Sequence, residues 1–168
     1  YSYRAIAALA DGMRALENPD IADELGPEAV ARAKAYGKFV QALAHATVAV
    51  FYDRGFVVTE DTDLTEAQEP MDYNALMTEA LAMFDESIQL SSGASFTLPK
   101  GWMTNELSAA DLARVAHSYK ARFRAAVART PAERQAVNWA QVIADVDAGI
   151  TSDYTMEFDW DNGWYFSA

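Results

Sequence analysis

Apolar residues Tyr3, Ile6, Ala7, Leu9, Met13 and Leu16 recur at helical intervals, predicting a first short helix whose weak point is Asp11-Gly12. Asn18-Pro19-Asp20 and Gly26-Pro27 bracket a turn-rich stretch. Pro27 suits the first turn of a long helix from Glu28 to about Asp53. In that helix Lys34, Lys38, Gln41 and His45 form a polar ridge. Phe39, Val40, Ala42, Leu43, Ala46, Val50 and Phe51 fill the remaining faces, so the helix should pack on more than one side. Arg54-Gly55 breaks it, with Gly55 expected as a left-handed cap. Residues 57–70 carry Glu60, Asp61, Asp63, Glu66 and Glu69 without one base, which reads as a solvated loop.

A third helix over residues 73–90 places Tyr73, Leu76, Met77, Ala80, Leu81, Phe84 and Ile88 on one stripe. Ser91-Ser92-Gly93 ends it, and residues 94–107, with Pro99 and Gly101, read as an irregular connection. Ser108-x-x-Asp111 resembles a capping box and opens a fourth helix with Leu112, Val115, Ala116, Tyr119, Phe123, Ala126 and Val127 as its stripe. Thr130-Pro131-Ala132-Glu133 starts a short helix with an N-cap, Pro at N1 and a carboxylate at N3. Residues 138–150 supply the last helix. Residues 154–160 alternate apolar with polar positions, as a strand or an extended tail would. The pattern predicts an all-α fold of about five helices in antiparallel hairpins with long loops.

Residues 80–92 and 140–152 align without a gap at an offset of 60, and each copy follows a helix containing Ala-His, at Ala44-His45 and Ala116-His117. Ala80-x-x-x-Phe84 has the alanine-to-aromatic spacing of the second helix of a tetratricopeptide hairpin. The offsets exceed the roughly 34 residues of a regular tetratricopeptide repeat, so helical hairpins with long insertions fit better than a regular array.

Composition narrows the classes. The 168 residues are 51% hydrophobic and 12% aromatic, enough for a real core in one domain. Twenty-five acids against 13 bases give −12, which repels a phosphate backbone and argues against a nucleic-acid partner. No stretch approaches the roughly 20 apolar residues that cross a bilayer. The chain has no cysteine and only two histidines, leaving no thiolate site and no histidine-rich metal site. No cofactor or metal is expected. No G-x-S-x-G, H-E-x-x-H, P-loop or dinucleotide glycine pattern occurs, so an enzyme is not expected and no catalytic residue is assigned. Asp145 and Asp147 lie two apart on a helix and point to different faces. Residues 108–135 hold six bases and two acids; subtracting that +4 from −12 leaves −16 elsewhere, so the fourth helix is a solvated basic face or a docking surface.

Two stretches carry a resemblance. The run from Ala33-Lys34-Ala35-Tyr36-Gly37-Lys38 through Ala44-His45 to Phe51-Tyr52-Asp53-Arg54-Gly55, then an acidic loop and Tyr73-Asn74-Ala75-Leu76 to Phe84-Asp85-Glu86-Ser87-Ile88, resembles the first helical hairpins of SusD/RagB-like outer-membrane lipoproteins. Residues 109–150, with Lys120-Ala121-Arg122 and Asn138-Trp139, look like the family's next pair, so the likeness spans most of residues 30–150. It departs in length and in lacking the lipidated N-terminal cysteine, and the chain starts at Tyr1 without a Met or signal segment. A single helical domain over 1–168, cut from a longer protein, is therefore expected. The resemblance implies tetratricopeptide-like hairpins in a nutrient-binding protein of the outer-membrane surface, lipid-anchored at full length. Such a protein lids a SusC-like TonB-dependent transporter and holds polysaccharide or oligosaccharide without chemistry.

Aromatics outside the helical stripes are the candidate ligand-binding residues: Trp102 in a Lys-Gly-Trp loop, and Trp160, Trp164 and Tyr165 in an acidic, glycine-containing tail. Flat rings beside carboxylates suit a sugar, and the same rings could instead complete the core. His45 and His117 read as structural histidines, since no partner lies at helical spacing. Asp159-x-Asp161-Asn162-Gly163 echoes a calcium loop with its glycine out of register and no closing Glu, and reads as a hydrated acidic turn. The second function carried is a helical-hairpin interaction module or accessory subunit with a groove lined by Lys34, Lys38, Gln41 and His45.

Overall fold

The computed structural model describes residues 2–155. Trp160, Trp164, Tyr165, the turn at Asp159 and most of the alternating segment lie outside the described residues. The fold is all-α. Among the described residues there are eight helices, α1 Ser2–Ala15, α2 Pro19–Leu25, α3 Pro27–Phe51, α4 Tyr73–Ser91, α5 Lys100–Met103, α6 Ala109–Ala126, α7 Pro131–Ala136 and α8 Trp139–Asp147. Four two-residue strands accompany them, β1 Arg54–Gly55, β2 Met71–Asp72, β3 Thr97–Leu98 and β4 Leu107–Ser108.

The long helices form a row in which α3 packs on α4, α4 on α6 and α6 on α8, with α1 on the outer side of α3. Neighbours run antiparallel. Ser87 Oγ near the end of α4 donates to the Ala35 carbonyl near the start of α3, while β1 and β2 clip the end of α3 to the start of α4 through Arg54↔Asp72 and Gly55↔Met71. A second ladder, Thr97↔Ser108 and Leu98↔Leu107, closes the loop that holds α5. The core lies between the helices and is filled by Phe39, Leu76, Met77, Phe84, Phe96, Leu98 and Leu112, with Phe39 edge-on to Phe84 at 5.9 Å. Burying each such side chain stabilises the fold by about 1.5–3 kcal/mol.

Local chemistry sets the starts. Asp72 caps α4 by accepting from the Asn74 and Ala75 amides, and Ser108 caps α6 by accepting from Asp111 N. The expected box at α7 is complete: Glu133 N donates to Thr130 Oγ1 at 3.2 Å and Thr130 N donates to Glu133 Oε2 at 2.9 Å.

Four expectations are corrected. The turn-rich stretch after α1 contains α2, because Asn18 accepts from Asp20 N and Pro19 stands at N1. The irregular connection contains α5, ended by Thr104 in the left-handed region at φ 63°. Gly55 is not a left-handed cap. It lies in β1, where a Cβ would come within 2.6 Å of Leu76, 2.8 Å of the Tyr3 hydroxyl and 2.9 Å of Val48, so the position needs a residue without a side chain for close approach.

The fourth correction concerns the polar ridge of α3: Lys38, Gln41 and His45 are buried. The loop expected to be fully solvated folds back over them. Lys38 Nζ bridges Glu60 and Glu86 at 2.8 Å each, and Gln41 Nε2 donates to Glu60. A groove lined by these residues therefore does not exist, and only Lys34, paired with Glu17, stays partly open.

Candidate functional site

Trp102 stands on α5 with one edge open. Its ring centroid lies 5.0 Å from that of Tyr36, the Tyr36 hydroxyl donates to the Trp102 carbonyl at 2.7 Å, and the Arg32 guanidinium sits 5.8 Å from the ring centre. With Leu9, Met13, Leu16 and Gly37 these rings line a shallow, mostly apolar slot of about 240 Å³. Burial pushes the Tyr36 phenol up from its ordinary range. Most of the Trp102 ring is committed to packing, which leaves little face for a ligand to stack on.

The two histidines meet different fates. The Val58 amide donates to His45 Nε2, so Nδ1 carries the proton and donates to the Gln41 carbonyl at 2.7 Å. Both nitrogens are spent, Nε2 on the loop and Nδ1 on the carbonyl one turn back in α3, and burial moves the imidazole below its ordinary pKa. His117 does have a partner, which helical spacing within one helix could not reveal: Asp145 on α8 lies 3.0 Å from its Nδ1. Asp145 is only 6% exposed and also meets Arg124 Nε at 3.3 Å and Lys120 Nζ at 3.5 Å. A carboxylate ringed by three cationic or donor groups on a neighbouring helix acts as a fastener between α6 and α8. Among the described residues no group of three or more His, Asp or Glu is placed to hold a metal ion.

A different place combines open aromatic surface with unspent donors. Where α3 ends, the chain turns through Tyr52, Arg54 and Phe56 against the first turn of α1. Together Ser2, Tyr3, Arg4, Val48, Tyr52, Arg54, Gly55 and Phe56 line a cavity of about 330 Å³. Tyr52 is 62% exposed and Phe51 beside it is more exposed still. The Tyr3 hydroxyl accepts from the Phe56 amide at 2.6 Å, and the rings of Tyr3 and Phe56 meet edge-on at 6.1 Å. That bond ties the loop to α1 and fixes the cavity wall. Arg54 spends one N–H on the Pro70 carbonyl at 2.8 Å, anchoring the guanidinium at the rim.

None of these five aromatic and basic residues, Tyr3, Arg4, Tyr52, Arg54 and Phe56, stands out in the sequence as a site. The available signal was the run Phe51-Tyr52-Asp53-Arg54-Gly55-Phe56, three aromatics crowding a helix end, where a purely structural terminus needs none. Fold and cavity define an all-α helical-hairpin protein with an aromatic and arginine-lined opening at one end. Comparison with known protein families, curated proteins and solved structures finds no match.

Proposed function

We propose that this chain is the helical part of a SusD-like nutrient-binding protein of the outer-membrane surface. In that role it holds a glycan without chemistry and passes it to a TonB-dependent transporter. The observation that carries the reading is the cavity at the end of α3, where the rings of Tyr52 and Phe56 and the donors of Arg4 and Arg54 share one opening. Sugars need that pairing, since the apolar ring face stacks on an aromatic while hydroxyls take hydrogen bonds. The antiparallel hairpins with long loops agree with the family's architecture. Trp102 remains a secondary candidate through its open edge.

The test is titration calorimetry against a panel of plant and microbial oligosaccharides. Tyr52→Ala should abolish or strongly weaken binding, and Trp102→Ala should weaken it less. A panel with no ligand, or a ligand indifferent to Tyr52, would reject the reading.

The interaction-module reading is favoured by one specific observation. α8 turns Trp139, Ile143, Val146 and the following Ile150 outward, with Ile143 and Val146 58% and 57% exposed. Ile143→Asp with Val146→Asp should cost association with a protein partner and leave sugar binding intact, which separates the two readings.

A further inference from the structure

We propose that the cavity at the end of α3 selects sugars bearing a carboxylate, with Arg4 and Arg54 receiving the acid and Tyr52 and Phe56 receiving the ring. This rests on the glycan-binding reading above and narrows it to a substrate class.

The charge distribution is the first ground. In a chain with 25 acids and 13 bases, the cavity lining contains two arginines and no carboxylate. Arg14, Arg32, Arg114, Arg124 and Arg129 each have an acidic partner. Among the described residues Arg4 and Arg54 have none, and unlike Arg122 and Arg134, which also have none, they share one cavity. The hydrogen bond to Pro70 holds Arg54 in place but consumes neither its charge nor its other N–H groups. Two guanidiniums lining one opening that holds no carboxylate favour an anion over a neutral occupant.

Shape and geometry narrow the anion. A guanidinium presents its donors in a planar fork that matches a carboxylate bidentately. A volume of about 330 Å³ lies at the lower end of ligand pockets, roughly 300–1,000 Å³, so it suits one sugar unit of a chain whose neighbours cross the open faces of Phe51 and Tyr52. The Tyr3 hydroxyl is already committed to the Phe56 backbone, so it shapes the wall and leaves recognition of the acid to the arginines. The missing side chain at Gly55 lets the backbone close on Val48, Leu76 and the Tyr3 hydroxyl, so the cavity floor carries no side chain that would fill the opening.

The experiment compares oligogalacturonate with the uncharged galactose oligomer of matched length, using calorimetry on the full chain at low and high sodium chloride. The acidic ligand should bind at least about fivefold more tightly, the size of one partly exposed charge-assisted contact. The preference should shrink with salt and vanish in the double variant Arg4→Gln, Arg54→Gln, whose unchanged circular dichroism shows it folded. Equal affinity for both ligands, or a preference that survives in the double variant, would overturn the inference. If neutral sugar still binds in that case and is lost in Tyr52→Ala, glycan binding itself stands. If neither sugar binds, both readings fall.

Discussion

The first hairpin and the second are held by different materials. Between α3 and α4 the contact is mostly apolar, with Ala35, Phe39, Ala42, Ala46 and Ala49 opposed to Leu76, Ala80, Met83 and Phe84, alanines letting the backbones approach closely, and polar groups confined to Ser87 on the Ala35 carbonyl and Lys38 on Glu86. Between α6 and α8 the contact is polar. Asp145 is buried against His117, Lys120 and Arg124, Arg124 also reaches Gln141, and the Ser118 hydroxyl accepts from the Ile150 amide. α8 therefore shows its apolar stripe to solvent and its one buried acid to its partner. Apolar periodicity identifies a helix, but the neighbour decides which face turns inward.

The comparison breaks most visibly in the apolar hairpin. Phe84→Ala removes a fully buried ring that touches both Phe39 and Phe123. It should cost about 3–5 kcal/mol of stability, seen as a lower urea midpoint at unchanged slope. A loss under about 1 kcal/mol would mean that the core collapses around the gap far more readily than a close-packed interior allows.

Lys38→Met should come next, at about 3 kcal/mol. It strands Glu60, whose carboxylate is disfavoured by burial but whose pKa is held below its usual range by Lys38 and Gln41. Protease cutting within residues 57–70 should rise in parallel. Asp145→Ala should cost less, about 2 kcal/mol, because Lys120 keeps its ion pair with Asp85 on α4. Hydrogen exchange should show α8 losing protection while α3 and α4 keep theirs. Uniform loss across all four helices would show that α8 does not open independently of α3 and α4.

Those differences mark what could be read from the chain. Long helices, their caps at Ser108 and Thr130, and the hairpin order follow from local periodicity and side-chain-to-backbone bonding, which act within a few residues. The fate of Lys38, Gln41 and His45 does not, since burial depends on a loop that returns 13 to 22 residues later in sequence to place Val58 and Glu60 over them. Asp145 is the same case at greater range: its partners on α6 lie 21 to 28 residues away. The repeat at an offset of 60 gains a physical meaning the alignment lacked. Its matched acids, Asp85 on α4 and Asp145 on α8, converge on one cation, Lys120 of α6. The cavity residues escaped notice because Tyr3 and Arg4 come from α1 and join Tyr52, Arg54 and Phe56 only after α1 docks on α3.

His45 sharpens the contrast through pH. Burial depresses its pKa below the ordinary 6.5, with the Lys38 charge adding in the same direction. On acidification the unfolded chain therefore takes up the proton first, so stability should be flat above that value and decline as pH falls through the folded pKa. Glu60 adds a second decline at lower pH, since its folded pKa lies below the ordinary 4.5 and its contribution is lost only as it protonates. Melting temperatures of the protein and of His45→Gln, measured across this range, should differ in slope in the upper window and agree in the lower one. Identical slopes in the upper window would show that His45 is not held neutral by the fold.

The smallest effect belongs to the outward stripe of α8. Ile143→Ser changes a side chain that is 58% exposed, so stability should move by no more than about 0.5 kcal/mol, in contrast to Phe84→Ala. Exchange protection within α8 should stay at its original level, because Asp145 and not Ile143 fastens the helix to α6. If Ile143→Ser instead undocked α8, the fastening would lie in apolar contacts of the stripe, and the two hairpins would be held by the same means after all.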